Sequence, residues 1–363
     1  MKKRLSTKKE KLSLNIKSDD ILRTSFELLR DKTADELMTQ FNVVYDNNKT
    51  VDHGGPTCDW FTKLAKEIFS QENGYFQCSE KNMSYQPSCL SCKKSDYLEF
   101  FKFAGQFIAR ALIEGICVDA HLTTSFCKQI LHREPKLNDL EDADVSLFQG
   151  LQWTLENDVD PLEMKFEVYD ETGNNQTVPL KENGTEINVT NENKKEYVIL
   201  MANYALKRKI EKQIEAFVDG FDSLIPHDEI KIFTPNELDL LICGVPKFDI
   251  EDFKAHTVYQ EPYTADSPVI KYFFSAISKW DNDQLIKLLQ FITGCSRVTA
   301  NGFEEFCEIA GRPITINSGG ERNLLPQSHT CVNTLSLPQY ENEQELNEKL
   351  LIAINQCDSF EII

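Results

Sequence analysis

Cys331 stands in LPQSHTCVNTLSLPQY, Leu325 to Tyr340, between two leucine-proline pairs. Its thiol has the most versatile chemistry in the stretch: as thiolate it is a nucleophile and a transient carrier of acyl groups. A cysteine by itself most often packs as a small buried hydrophobe, so the neighbours decide. Pro326 and Pro338 bias the residues before them towards extended backbone. In an extended stretch residues two apart project to one side, which predicts His329 beside Cys331. An imidazole there, above all a protonated one, favours the thiolate. Asn333 would fall on that side too if the strand continued, so a Cys-His-Asn hydrolase fits these residues as well as acyl transfer does. The spacing points to an exposed reactive thiol and does not name a reaction.

A second group of cysteines competes for attention. QPSCLSCKKS carries Cys89 and Cys92 in a C-x-x-C step, with Cys78 upstream. A zinc site needs four ligands, and only His53, His121 and His132 lie loosely near in sequence. The reading is a loop insertion with incidental thiols and no metal. The chain has 11 cysteines, an odd number without framework spacing, so they are expected to stay reduced.

Stepping outward, the composition is that of an ordinary soluble globular chain, 41% hydrophobic and 27% charged over 363 residues. No run of eighteen apolar residues suggests a membrane span. The N-terminus is basic but lacks the apolar stretch of a secretory signal, and a cytoplasmic or nuclear location is expected. That location silences the Asn-x-Thr sequons at Asn183 and Asn188. A formal charge of −19 argues against nucleic acid and favours partners with basic patches. The first eleven residues run against the trend, with six Lys or Arg and one Glu, and read as a solvated tail.

The elements that must position Cys331 read as α+β. TADE, Thr33 to Glu36, fits a capping box. WFTKLAKEIF sets Trp60, Phe61, Leu64, Ala65 and Ile68 on one helical face. Tyr97 to Gly115 is apolar almost all round, the mark of a central buried helix. Between Met164 and Thr190, KFEVYD, TVPL and TEINVT read as three short strands of an inserted sheet. A long helix follows, with Asn191 or Asn193 as its cap. Thr234 to Glu237 is a second capping box with Pro235 at the first helical position, and that helix should stop near Gly244. A boundary is placed at residues 245–249. Two more helices, VIKYFFSAISKW and NDQLIKLLQFITG, precede short extended pieces that end at the cysteine.

LPQSHTCVNTLSLPQY resembles the active-site segment of HECT-type ubiquitin-protein ligases, Leu-Pro-x-x-His-Thr-Cys-x-Asn-x-Leu-x-Leu-Pro-x-Tyr, at every fixed position. VVYDNNKTVDHGGPTCDWF resembles the family's Asp-x-Gly-Gly-x-x-x-x-Trp-Phe stretch. VPLKENGTEINVTNENKKEYV, NELDLLICG, LLQFITGCSRVTANGF and KLLIAI follow in the family's order. The resemblance covers the chain from about residue 12 to its end.

The resemblance implies a bilobal HECT fold. Its large, mainly helical N-lobe spans 12–245 with a small inserted sheet subdomain, and a smaller α/β C-lobe spans 249–363. Residues 1–11 are the basic tail, and about 145–215 form the part that binds a conjugating enzyme. It implies a ubiquitin-protein ligase in which Cys331 accepts ubiquitin as a thioester from a charged conjugating enzyme and passes it to a lysine of a protein substrate. Exchange between two thioesters is nearly isoenergetic, so no cofactor is required at that step. His329 would assist electrostatically or orient the segment, and backbone N–H groups around Thr330 and Cys331 could hold the oxyanion. Phe360, fourth from the end, matches a phenylalanine that supports transfer to lysine. The family's acidic residue near the terminus is absent. Asp358, Glu361 or the carboxylate of Ile363 would have to take the lysine proton. Leu147, Leu151, Tyr197 and Met201 match the conjugating-enzyme groove, although by pattern alone all four would be core. The alternative is a catalytically inactive scaffold for ubiquitin or the conjugating enzyme, which would have no need of the intact His-Thr-Cys step.

Overall fold

Tyr97–Glu114 is the helix around which the first half of the chain is built. The computed structural model describes residues 11–46, 55–79, 83–170, 177–245 and 247–356, without the side chains of Gly55, Cys331 and Gln356. Phe100, Phe101, Phe103 and Phe107 of that helix are all buried. Each contributes about 1.5–3 kcal/mol by leaving water, which outweighs the roughly 1 kcal/mol that Gly105 costs inside a helix. Gly105 is needed there. A Cβ at that position would strike the Phe217 carbonyl on helix Glu211–Asp222, and one at Gly220 would strike the Lys102 carbonyl in return. The two helices therefore touch backbone to backbone.

Helix Gly55–Phe69 packs into the same core through Trp60, Phe61, Leu64, Ala65 and Ile68, all at most 1% exposed. The indole of Trp60 donates to Ser25 Oγ at 2.9 Å. Two strands absent from the sequence reading, Leu12–Ile16 and Phe41–Tyr45, pair in parallel on this core. Buried Arg110 donates to the Leu37 carbonyl at 2.6 Å, pairs with Glu114 and lies over the Phe41 ring.

Both capping boxes form, Thr33 with Glu36 and Thr234 with Glu237. Asn193 sits at the N-cap of helix Lys194–Leu206, yet its side chain does not cap. Its Oδ1 accepts from Thr190 N and its amide donates to the Asn188 carbonyl. The inserted sheet is smaller than expected: Glu167–Tyr169 and Thr177–Pro179 pair as a hairpin. The third stretch instead makes a 3-10 turn at Gly184–Glu186 and one bridge, Asn188 to Lys165. Gly184, at the start of that turn, packs against the Phe166 carbonyl too closely for any Cβ.

A second core is assembled by residues 248–354. Its sheet has four strands, in the order Thr257–Tyr259, Ile314–Ser318, Thr334–Leu337, Gln327–His329. The first three are parallel and the last is antiparallel at the edge. Helices Pro268–Ile277, Asn282–Thr293 and Glu343–Gln356 pack around it. Helix Ile250–Ala255 precedes the two expected helices, and helix Gly302–Ala310 stands among the pieces after Gly294 that were expected to be extended. The fold is α+β, with helices alongside small separate sheets. Among the described residues no helix is long and apolar enough to cross a membrane.

The expected boundary falls between the helix ending at Cys243 and the one starting at Ile250. Pro246 lies outside the described residues. Val245 N donates to the Val298 carbonyl at 3.0 Å, so the connection is stitched to the second core as it leaves the first. Gly244 is in positive φ, and a Cβ there would strike the Val298 carbonyl.

Candidate active site

Strands Gln327–His329 and Thr334–Leu337 form an antiparallel hairpin, with His329 opposite Thr334. Cys331 is the central residue of the 3-10 turn Thr330–Val332 that joins them. This corrects the expected extended geometry. The strand ends at His329, so the alternation that put His329, Cys331 and Asn333 on one side does not operate. Two antiparallel strands require a reversal, and Asn333 supplies its last step at φ 50°, a left-handed conformation asparagine tolerates better than most residues. Its N–H donates to the Thr330 carbonyl at 3.3 Å and its carbonyl accepts from Thr315 N at 2.9 Å. His329 and Val332 are exposed, Thr330 is half-buried and Asn333 is buried. Asn333 Nδ2 finds no partner among the described residues.

The turn is held from behind. The Tyr340 hydroxyl donates to the Leu324 carbonyl at 2.8 Å, tying together the ends of the segment that carries Cys331. Arg322 pairs with Glu345 at 2.9 Å and with Glu341, while Lys349 donates to the carbonyls of Arg322 and Asn323 at 3.0 and 2.8 Å. Tyr263 OH donates to the Leu337 carbonyl at 2.7 Å. The tyrosine of the Leu-Pro-x-Tyr motif was the one signal in the sequence for this brace. Its partners on the C-terminal helix were not legible.

In front, the turn meets the first core. Helix Gly55–Phe69 and helix Asn282–Thr293 both pack against Thr330–Val332. Between the cores lies a cleft of about 140 Å3 lined by Thr57, Cys58, Cys295, Arg312, Thr330 and Asn333. Cys58 and Cys295 are joined by a disulfide across it, 237 residues apart in sequence, against the expectation that every thiol stays reduced. Nothing local in the sequence could have paired them. Thr62 Oγ1 donates to the Gly294 carbonyl at 3.3 Å, and Arg297 pairs with Asp119 across the same boundary.

Burial disarms several other thiols. It pushes Cys117 up to about 12 and raises Cys127 and Cys243 well above their ordinary value. Cys78 and Cys307 are raised for the same reason. Such groups stay protonated at neutral pH and are poor nucleophiles. In the C-x-x-C step, Cys89 is buried and Cys92 exposed within the 3-10 turn Cys89–Lys93. Among the described residues one His/Cys/Asp group approaches metal-ligand geometry, that of His121, Asp239 and Cys243. Its atoms already serve one another: His121 Nδ1 meets Asp239 Oδ2 at 2.9 Å, and Leu122 N donates to Oδ1 at 2.9 Å.

The four groove candidates fall on two facing helices, Val145–Glu156 and Lys194–Leu206. Leu147, Tyr197 and Met201 are half-buried, whereas Leu151 is only 3% exposed and is part of the small core between the helices. Tyr197 and Met201 also lie against a neighbouring cluster around Phe166, whose ring meets Tyr197 edge-on at 5.6 Å. Trp153 and Ile199, on the same helices, are 48% and 64% exposed and did not figure in the sequence reading. Phe360, Asp358, Glu361 and the basic tail through residue 10 lie outside the described residues.

The His-Thr-Cys step thus forms the turn of an edge hairpin in an α+β chain. The family model described as "HECT-domain (ubiquitin-transferase)" matches residues 62–363. The chain is 37% identical over 357 residues to human "E3 ubiquitin-protein ligase NEDD4", covering 97% of this chain and 27% of that protein. It is 36% identical over 351 residues to "E3 ubiquitin-protein ligase pub1" of Schizosaccharomyces pombe, covering 96% and 46%. With "E3 ubiquitin-protein ligase UPL1" of Arabidopsis thaliana the identity is 36%, covering 95% and 10%. The chain thus spans less than half the length of these curated relatives. It belongs to the HECT-domain family.

Proposed function

We propose that this chain is the catalytic part of a ubiquitin-protein ligase that carries ubiquitin on Cys331. The observation that supports this most is the intact Leu-Pro-x-x-His-Thr-Cys-x-Asn segment, folded as a braced turn at a sheet edge, in a HECT-family chain. In the first step the Cys331 thiolate attacks the thioester carbonyl that joins ubiquitin to a conjugating-enzyme cysteine. The new C–S bond forms as the carbonyl becomes a tetrahedral oxyanion, whose collapse breaks the old C–S bond and releases the conjugating enzyme as thiolate. In the second step a substrate lysine, as free amine, attacks the Cys331 thioester. An isopeptide bond forms, Cys331 leaves as thiolate, and the amine's proton passes to a base.

The residues have separate tasks in this reading. Exposed His329 stabilises the thiolate by its charge or orients the turn, and N–H groups at Thr330 and Cys331 hold the oxyanion. Phe360 supports the second step, with Asp358, Glu361 or the terminal carboxylate as proton acceptor. The two cores are read as an N-lobe, 12–245, and a C-lobe, 249–363, with residues 245–249 as the hinge. Leu147, Tyr197 and Met201 of the 145–215 part receive the conjugating enzyme, with Leu151 supporting them from below. Cytoplasmic or nuclear placement belongs to the same proposal.

The test is conjugate formation with activating enzyme, ATP, ubiquitin and a broad panel of conjugating enzymes. Ubiquitin conjugates that depend on Cys331 are expected. Conjugates that persist in Cys331→Ala, or a wild type inactive across the panel, would overturn the reading.

A further inference from the structure

One of the contacts between the two bodies of the molecule is covalent. Cys58, on helix Gly55–Phe69 of the first body, has its side chain buried within the hydrophobic cluster of the second, at 5% exposure. Cys295 follows Gly294 at the end of helix Asn282–Thr293, at 8% exposure. Their Cα atoms are 5.6 Å apart, inside the range a disulfide spans. One turn further along, Thr62 bonds the Gly294 carbonyl, so the approach of the two helices does not depend on the sulfurs alone. Both cysteines line the cleft that also contains Thr330, which gives a small solute a route to them.

We propose that Cys58 and Cys295 are a redox modification site whose oxidation locks the Cys331 turn against the first body and stops it from accepting ubiquitin. The inference rests on the ligase reading above. There, Cys331 must reach a conjugating enzyme held by helices Val145–Glu156 and Lys194–Leu206, which form a separate small core. In the structure the Cys331 turn instead packs against helix Gly55–Phe69, the helix that carries Cys58. Reduced, the interface keeps the Thr62–Gly294 hydrogen bond, the Arg297–Asp119 ion pair and the Val245–Val298 bridge among its contacts, all non-covalent and able to open and re-form. Oxidised, it is closed by a covalent bond beside the turn itself.

The chemistry balances with a peroxide or a glutathione disulfide as oxidant. One thiol ionises and its thiolate attacks a peroxide oxygen, giving a sulfenic acid and a hydroxide that takes up the thiol's proton as water. The second thiol displaces a further water and forms the S–S bond. With glutathione disulfide, two thiol-disulfide exchanges release two molecules of glutathione. The structure shows the oxidised form, and reduction adds two electrons and two protons.

The experiment uses the full chain and its Cys58→Ser and Cys295→Ser variants, each treated with glutathione disulfide, desalted and mixed with ubiquitin-charged conjugating enzyme. Rates are compared per free Cys331 thiol, counted by intact-mass spectrometry of each protein, so direct oxidation of that thiol does not enter the comparison. Oxidised wild type is expected to charge at least tenfold more slowly than either oxidised variant, and phosphine reduction before desalting should restore it. A non-reducing peptide map should contain the Cys58–Cys295 linked peptide. Absence of that peptide, or equal charging by all three oxidised proteins, overturns the proposal. If the reduced protein fails to charge at all, the ligase reading falls separately. The linked peptide, together with slower hydrogen exchange of helices 55–69 and 282–293 on oxidation, then decides whether the tether forms, and their absence overturns it.

Discussion

The Tyr340 hydroxyl donates a 2.8 Å hydrogen bond to the Leu324 carbonyl, and the fifteen residues between them carry the Cys331 turn. Tyr340 is only 4% exposed, so its ring is packed as well as bonded, with the Lys349 ammonium 5.4 Å from the ring centre. Tyr340→Phe keeps the packing and leaves the carbonyl without its partner. The expected cost is about 1–2 kcal/mol of stability by urea unfolding. If the bond also sets the turn, thioester formation should slow several-fold under conditions where the variant is fully folded. Unchanged charging by the folded variant would confine Tyr340 to holding the segment together.

His329 is exposed at the end of its strand, one residue before the turn. If the imidazole stabilises the Cys331 thiolate, His329→Ala should slow ubiquitin acceptance by up to about tenfold, with a deficit that varies with pH. The pH dependence of the single-turnover rate separates this from an orienting role, in which the deficit would not change with pH. A normal rate at every pH would remove His329 from the mechanism.

Met201 is half-buried between two small hydrophobic clusters on helix Lys194–Leu206. As a contact for the conjugating enzyme, Met201→Ala should raise the concentration of charged enzyme needed for half-maximal rate about tenfold, the scale of losing an interface contact worth just over 1 kcal/mol. Discharge of a preformed ubiquitin-Cys331 thioester to lysine should be unaffected. Equal losses in both steps would mean that the substitution had disturbed the fold instead.

His121 is held above its ordinary value, chiefly by its hydrogen bond to Asp239, while burial and the nearby Arg297 oppose and the charges of Asp239 and Asp119 assist. A raised folded-state value means that protonated His121 contributes stability. That contribution is complete below the unfolded value of 6.5 and is lost as pH rises through the higher folded value. The urea midpoint of wild type should exceed that of His121→Asn by more at about pH 5.5 than at about pH 8.5. A gap that is constant or widens with pH would contradict the pairing.

Much of the frame was legible because it depends on near neighbours. Thr33 and Glu36, and Thr234 and Glu237, satisfy each other three residues apart, so their capping boxes could be read directly. Gly244 and Gly294 stop helices for reasons local to a few residues. What depends on distant partners was hidden. Leu12–Ile16 becomes a strand only by pairing with Phe41–Tyr45, and Cys58 meets Cys295 across 237 residues of sequence. The Cys331 segment lies between these cases. The prolines point correctly to extended backbone on either side of the turn, but the reversal itself comes from antiparallel pairing of Gln327–His329 with Thr334–Leu337. Asn333, a residue that accepts positive φ, was the overlooked local clue to it.

Whether Cys331 carries ubiquitin is decided by mixing the reduced, desalted protein with ubiquitin-charged conjugating enzyme and resolving the products on a non-reducing gel. A ubiquitin adduct is expected that disappears with thiol reductant and is absent in Cys331→Ala. An adduct that survives reductant, one that persists in Cys331→Ala, or no adduct with any of a broad panel of conjugating enzymes would contradict that expectation.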